Sequence, residues 1–285
     1  MNILKKAFIK SRLKIRGFFL GLAGFKLPGS IKVYSPEETL DEIRKIMEKR
    51  APGAYFRFGD GEANALNGLG AIEQDGDKNL AVEMREAFSL SGPGIVKSLM
   101  IHSRKYGFSA GMESGAHFCT DQWAENLLRN CFEYFIGEKI YSHAALAYAS
   151  VYKPEEAIKF LTFLKSFDPI FVGNRDIPFE ILTKLFGKTV HIKTEPKGAY
   201  GQIDGLERDI LAAIKLRDLP YDVVVLAAGP AAKILQKRIL TRSKGNLFLF
   251  DFGSLIDALS GKNTRAWIEQ GSFDGKYRDE LLSKL

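Results

Sequence analysis

Two cysteines and four histidines are all that this 285-residue chain has of the residues that usually anchor disulfides and zinc. Cys119 and Cys131 lack metal-ligand spacing, and His102, His117, His143 and His191 are too dispersed for a zinc pattern. Cys131 lies in an apolar helical run and reads as core packing, which points to a reducing compartment. Long apolar runs are missing too. A transmembrane helix needs about 20 mostly apolar residues, and the longest run, Gly17 to Phe25, falls far short. The start does not read as a signal peptide, because its charged region is long and no small-x-small cleavage site follows. The chain also lacks a three-glycine dinucleotide fingerprint, an EF-hand spacing around Glu73 to Asp77, and any repeat.

One further absence locates the net charge. Residues 1–30 contain no acid, yet hold Lys5, Lys6, Lys10, Arg12, Lys14, Arg16 and Lys26, which accounts for the whole excess of +7. The rest of the chain is neutral overall, which argues against a basic nucleic-acid groove and for a basic arm at one end. Leu4, Phe8, Ile15, Phe18, Phe19 and Leu22 fall on one side of a helix between those cations. The pattern suits an interfacial helix on an anionic membrane surface, or a helix packed on its own domain or a second subunit. The expected organisation is this amphipathic arm over 1–30 and one domain over 31–285.

What is present is an alternation of strands and helices. Ser35-Pro36-Glu37-Glu38 supplies an N-cap, a proline at the first helical position and a capping glutamate, so a helix begins there and ends at Ala51-Pro52-Gly53. A strand follows over Ala54 to Phe58. Further strands are expected at 95–101, within 140–149, and at 169–172, 189–192, 222–226 and 247–250. Helices are expected at 154–167, 178–186, 203–217 and 231–240. Tyr106 to His117, with three glycines, reads as a mobile lid. Strand and helix at this spacing imply parallel crossovers and an α/β sheet with helices on both faces.

In such a sheet ligands bind beyond the carboxyl ends of the strands. The stretch Tyr55-Phe56-Arg57-Phe58-Gly59-Asp60-Gly61-Glu62 sits at one such end. Asp60 and Glu62 are hard oxygen ligands suited to Mg²⁺ or Mn²⁺ carrying a phosphate; an acidic surface turn is the other reading. Arg57 lies within the strand and requires an acidic partner, with Asp60, Glu62 or a phosphate as candidates. Asn174, Arg175, Gly229, Pro230 and Asp251 fall at later strand ends and would share the same rim. Lys197 and Tyr200 lie in the loop 195–202, available to a sugar or diphosphate, or simply solvated. His143 and His191 read as core or surface residues.

These residues resemble the GT-D-fold bacterial glycosyltransferases, long catalogued as a domain of unknown function. The strand and Asp-x-Glu turn at 55–62 carries the resemblance, followed in order by Val172-Gly173, Ala199-Tyr200, Ala228-Gly229-Pro230-Ala231-Ala232 and Phe250-Asp251-Phe252-Gly253. It implies a Rossmann-like sheet, a nucleotide-sugar donor, UDP-linked, and a divalent metal on Asp60 and Glu62. The candidate nucleotide-sugar contacts are Arg57, Gly59, Asn174, Arg175, Lys197, Tyr200, Gly229 and Pro230, and the catalytic candidates are Asp60, Glu62 and Asp251. A role in bacterial surface glycans is also implied, with a glycan, glycolipid or glycoprotein acceptor. Relatives often have Gly-His where this chain has Gly253-Ser254.

The expected function is a metal-dependent glycosyltransferase in the cytoplasm, peripheral to the inner face of the membrane. Two alternatives stand beside it: an S-adenosylmethionine-dependent methyltransferase, since a strand before Gly-Asp-Gly loosely resembles a methyl-donor loop, and a non-catalytic nucleotide-sugar-binding subunit. The base for an acceptor hydroxyl is left open among Glu62, Asp176 and Asp251.

Overall fold

The computed structural model describes residues 27–70, 75–107, 118–243, 245–264, 267–268 and 273–285. In chain order the elements are β1 (Lys32–Val33), α1 (Pro36–Glu48), β2 (Gly53–Phe58), α2 (Asp60–Leu66), α3 (Lys78–Ser89), β3 (Ile95–Leu99), α4 (Asp121–Cys131), β4 (Lys139–Ser142), α5 (Ala145–Tyr152) and α6 (Pro154–Lys165). They continue as β5 (Ile170–Asn174), α7 (Phe179–Phe186), β6 (His191–Thr194), α8 (Ile203–Arg217), β7 (Asp222–Ala227), α9 (Pro230–Arg242), β8 (Leu247–Asp251), α10 (Leu255–Leu259) and α11 (Gly275–Ser283). The expected arm lies outside the described residues up to 26, as does the expected lid from 108 to 117. Among the described residues no helix is long and apolar enough to cross a membrane.

The eight strands form one sheet in the order β1-β4-β3-β2-β8-β7-β5-β6, every pair parallel. Alternation along each strand explains why both faces are covered. On β2, Phe56 and Phe58 pack with α2, α3, α4, α8 and α9, whereas Tyr55 points to the other layer with α1, α5, α6, α7, α10 and α11. On β8, Leu247 and Leu249 join the first layer and Phe248 and Phe250 the second. The result is the Rossmann-like α/β architecture that the strand and helix pattern implies.

Helix starts follow local chemistry. At α1, Ser35 Oγ accepts from Glu38 N (3.1 Å) while Glu38 Oε2 accepts from Ser35 N (2.9 Å), the capping box read from the sequence. The strand order places the switch point between β2 and β8. From β2 the chain moves outward to β3 and β4, crosses to β5 and β6 at the far side, and returns through β7 to β8 beside β2. The crevice above those two strands is therefore framed by loops leaving in opposite directions.

Candidate active site

The turn after β2 is tighter than expected. Instead of a loop carrying two carboxylates, Gly59 is the N-cap of α2 and Asp60 its first residue. Glu62 thus falls at the third helical position, and its Oε2 accepts from Gly59 N at 2.9 Å. That local bond turns Glu62 inward, where it is 8% exposed, while Asp60 remains exposed with Oδ1 accepting from Gly61 N at 2.9 Å. The two acids diverge because the helix begins one residue after the strand loop.

Glu62 meets a residue that the sequence reading left unmarked. Lys233, one turn into α9, places Nζ 2.8 Å from Glu62 Oε1 and 2.8 Å from Asp251 Oδ2, and donates to Gly229 O at 3.2 Å. It is 4% exposed. Burial by itself would raise the Glu62 pKa, but the Lys233 ammonium and the Gly59 N–H outweigh it and hold the carboxyl below its ordinary value. Burial would likewise lower Lys233, yet Asp251 and Glu62 together raise it. Lys233 thus bridges two carboxylates, one from α2 and one from β8.

Arg57 approaches Asp251 from the opposite side, its Nη1 3.9 Å from Oδ1. Its partner is therefore Asp251, not Asp60 or Glu62. Its Nε donates to His143 O at 2.6 Å. The path of this guanidinium requires Gly253, which has φ +63°; a Cβ there would lie 1.4 Å from Arg57 Nη1. Gly229 has φ +55° at the N-cap of α9, so β7 turns into that helix through a conformation suited to glycine.

These groups line one cleft of about 720 Å³ at the carboxyl edge of the sheet. Of the sites expected from sequence, Arg57, Gly59, Asp60, Glu62, Asn174, Lys197, Gly229, Pro230 and Asp251 all line it. Arg175 and Tyr200 do not. Arg175 is exposed and pairs at 2.6 Å with Glu195, which itself lines the cleft. Tyr200 is drawn under the loop by Glu83, its hydroxyl donating to Oε1 at 2.9 Å. The reading also missed Lys233 and His143, which the cleft includes. Nothing in the local pattern marked Lys233, since it stands inside an apolar helical run; the strand end before His143 was the one available signal. Ser254 lines the cleft too and accepts from Trp267 Nε1 at 3.2 Å. Trp267 also packs edge to face on Phe273, with ring centroids 6.0 Å apart.

The donor set can be tested against a divalent cation. Among the described residues no group of three or more His, Cys, Asp or Glu side chains converges on a point. Both Glu62 oxygens are already engaged, one by Lys233 and one by Gly59 N. Glu62 is thus held within the Lys233 cluster while Asp60 stays exposed at the cleft. Asp60 presents an exposed carboxylate to the cleft, which suits a cation arriving with a diphosphate and its own waters.

No family model matches the sequence, and no curated protein does. Solved structures do match. A structure of domain of unknown function 1792 superposes with a TM-score of 0.59 at 17% identity, covering 80% of each chain. Another, described as showing that this domain has a distinct glycosyltransferase fold, gives 0.57 at 17% identity over 80% of each chain. A third, described as a new glycosyltransferase of the same domain from Streptococcus sanguinis, gives 0.59 at 18% identity, covering 88% of this chain and 97% of that one. At such identity the shared property is the fold. The chain has the distinct glycosyltransferase fold of those domains, the fold type implied by the Asp-x-Glu resemblance.

Proposed function

We propose that this protein is a glycosyltransferase that moves a sugar from a nucleotide-sugar donor, UDP-linked, to a glycan, glycolipid or glycoprotein acceptor in the building of bacterial surface polysaccharide. One observation carries the reading: on a glycosyltransferase fold, a cleft at the sheet's switch point is lined by the first turn of α9, Arg57, Lys197 and Asp60. Its volume of about 720 Å³ is in the range that holds a compact organic ligand.

The residues divide the work. The N-terminal end of α9 and the Arg57 guanidinium line the cleft where a diphosphate would lie. Asn174 and Lys197, on the far rim, are within the loops that would meet the nucleoside or sugar. Lys233 and Arg57 hold Asp251 from two sides, so the floor of the site is rigid before any donor enters. Mn²⁺ or Mg²⁺, held by Asp60, would supply positive charge to the departing diphosphate. The basic arm over 1–30 gives the protein a means of docking on an anionic membrane, beside a lipid-linked acceptor.

A thermal-shift and calorimetric panel tests this reading. UDP and UDP-sugars should stabilise the protein, more strongly with Mn²⁺, and Asp60→Ala should abolish the metal-dependent increment. Stabilisation by S-adenosylmethionine and none by any nucleotide sugar would overturn it. Tight UDP-sugar binding with no release of UDP would favour the non-catalytic subunit.

A further inference from the structure

We propose that Tyr200 is a positioning residue for the donor: its hydroxyl latches the loop 195–199 so that Lys197 is held where a nucleotide sugar would bind. The inference rests on the glycosyltransferase reading and deepens it, because Tyr200 acts through the loop and does not itself line the cleft. Residues 194–199 form one continuous wall of that cleft, and Lys197 is the one cation among them. A lysine on a loop contributes its full affinity only if the loop stays in place. When the competent position is held for a fraction of the time, the apparent affinity falls by that fraction.

The two ends of this wall are held by different means. Thr194, at its start, closes β6 in register with Asn174 on β5, and its carbonyl accepts from Arg175 N at 3.0 Å. Glu195 is paired with Arg175 Nη1 at 2.6 Å. At the other end no strand continues. The chain turns at Gly198, with φ +71°, and passes through a short 3₁₀ turn, Ala199–Gln202, into α8. Tyr200 ties that turn to α3, its Oη donating to Glu83 Oε1 at 2.9 Å across 117 residues of chain.

Glu83 is held in turn. Arg238, on α9, donates to it through two arms of its fork, Nε to Oε2 at 2.7 Å and Nη2 to Oε1 at 2.8 Å. Its Nη1 donates to Asp204 Oδ1 at 2.6 Å and Glu207 Oε2 at 3.2 Å, both on α8. Burial would raise the Glu83 carboxyl, but Arg238 and Tyr200 outweigh it and hold it below its ordinary value, so the tyrosine meets an ionised acceptor. Three helices thus meet at one guanidinium, and α9 is the helix whose Lys233 holds Glu62 and Asp251. One helix sets the floor of the cleft and, through Glu83 and Tyr200, its loop wall as well.

The test measures calorimetric Kd for UDP-glucose, UDP-galactose and UDP-N-acetylglucosamine with Mn²⁺, and hydrogen exchange over residues 195–199, on wild type, Tyr200→Phe, Lys197→Ala and the double variant. Tyr200→Phe keeps the ring and removes only the hydroxyl. It should speed exchange in the loop and raise Kd by roughly 3- to 30-fold. Lys197→Ala should also raise Kd, and the double variant should bind within about twofold of the weaker single one, because both changes remove the same contact. A tyrosine with a merely structural role would give losses that multiply. Glu83→Ala removes the acceptor instead of the donor, leaves Arg238 its bonds to Asp204 and Glu207, and should reproduce the Tyr200→Phe loss. Unchanged affinity in any of the single variants, unchanged exchange in Tyr200→Phe, or multiplied losses would each overturn the assignment. A wild-type protein that binds none of these donors would instead sink the glycosyltransferase reading, and this inference with it.

Discussion

Lys97 and Lys233 are buried alike, 3% and 4% exposed, yet they sit toward opposite edges of the sheet in opposite company. Lys97, on β3, donates to three backbone carbonyls, Phe88 O at 2.6 Å and Leu90 O and Ile136 O at 2.8 Å, with the Phe135 ring 4.6 Å away. It ties the end of α3 to the loop before β4. With no carboxylate among those partners, burial pushes its pKa down to about 7. Lys233 holds two carboxylates and lines the large cleft, and its pKa is raised. A buried lysine is thus not in itself a mark of function. What separates the two is whether the ammonium organises other charges at the edge where an α/β fold binds ligands.

The comparison is most easily broken at Lys233. Lys233→Met strands Glu62 and Asp251 in a buried site, and should cost about 3–5 kcal/mol of stability in urea unfolding. Its pH dependence should reverse. In wild type the depressed Glu62 pKa contributes stability that is lost as pH falls through it; in the variant the unpaired acid binds protons more tightly folded than unfolded. Melting temperature should therefore rise in Lys233→Met between pH 7 and 5 and not in wild type. A variant as stable as wild type, with the same profile, would mean that the cluster is incidental.

Lys97 sharpens the same contrast with the opposite sign. Its folded pKa near 7 lies below the unfolded value of 10.5, so between these the unfolded chain binds more protons and stability rises with pH. That contribution has a slope of at most about 1.4 kcal/mol per pH unit, and Lys97→Met should remove it while leaving UDP affinity unchanged. A loss of UDP binding would show that the two edges are coupled. The smallest expected effect is at Gly253. Gly253→Ala strains a φ of +63° and pushes Arg57 aside, for about 1–2 kcal/mol of stability and weaker UDP binding. Unaltered affinity would remove Arg57 from the donor site.

Much of the fold was legible because each strand is a short apolar run and each helix has its own start signal. The capping box at Ser35 and Glu38 and the run Asp222 to Leu226 are local facts that survive any tertiary arrangement. Candidate residues at strand ends were legible for the same reason: a parallel sheet sends all its carboxyl ends to one edge. What was not legible is a side chain's direction, which depends on what surrounds it. Asp60 and Glu62 looked like a matched pair, but an immediate helix start gave Glu62 a backbone donor and a lysine from α9. Arg175 looked like a phosphate ligand, but a neighbouring loop offered Glu195.

Periodicity and cap chemistry, which act over a few residues, were enough for the sequence alone to determine an α/β chain with its polar residues at strand ends. The order of the strands was not contained in them. Only folding brought residues 62, 233 and 251 within one ion-pair distance and set residue 143 against residue 59. Charge pairing in a buried site depends on distances across elements far apart in the chain, and those distances exist only once the sheet has chosen its order.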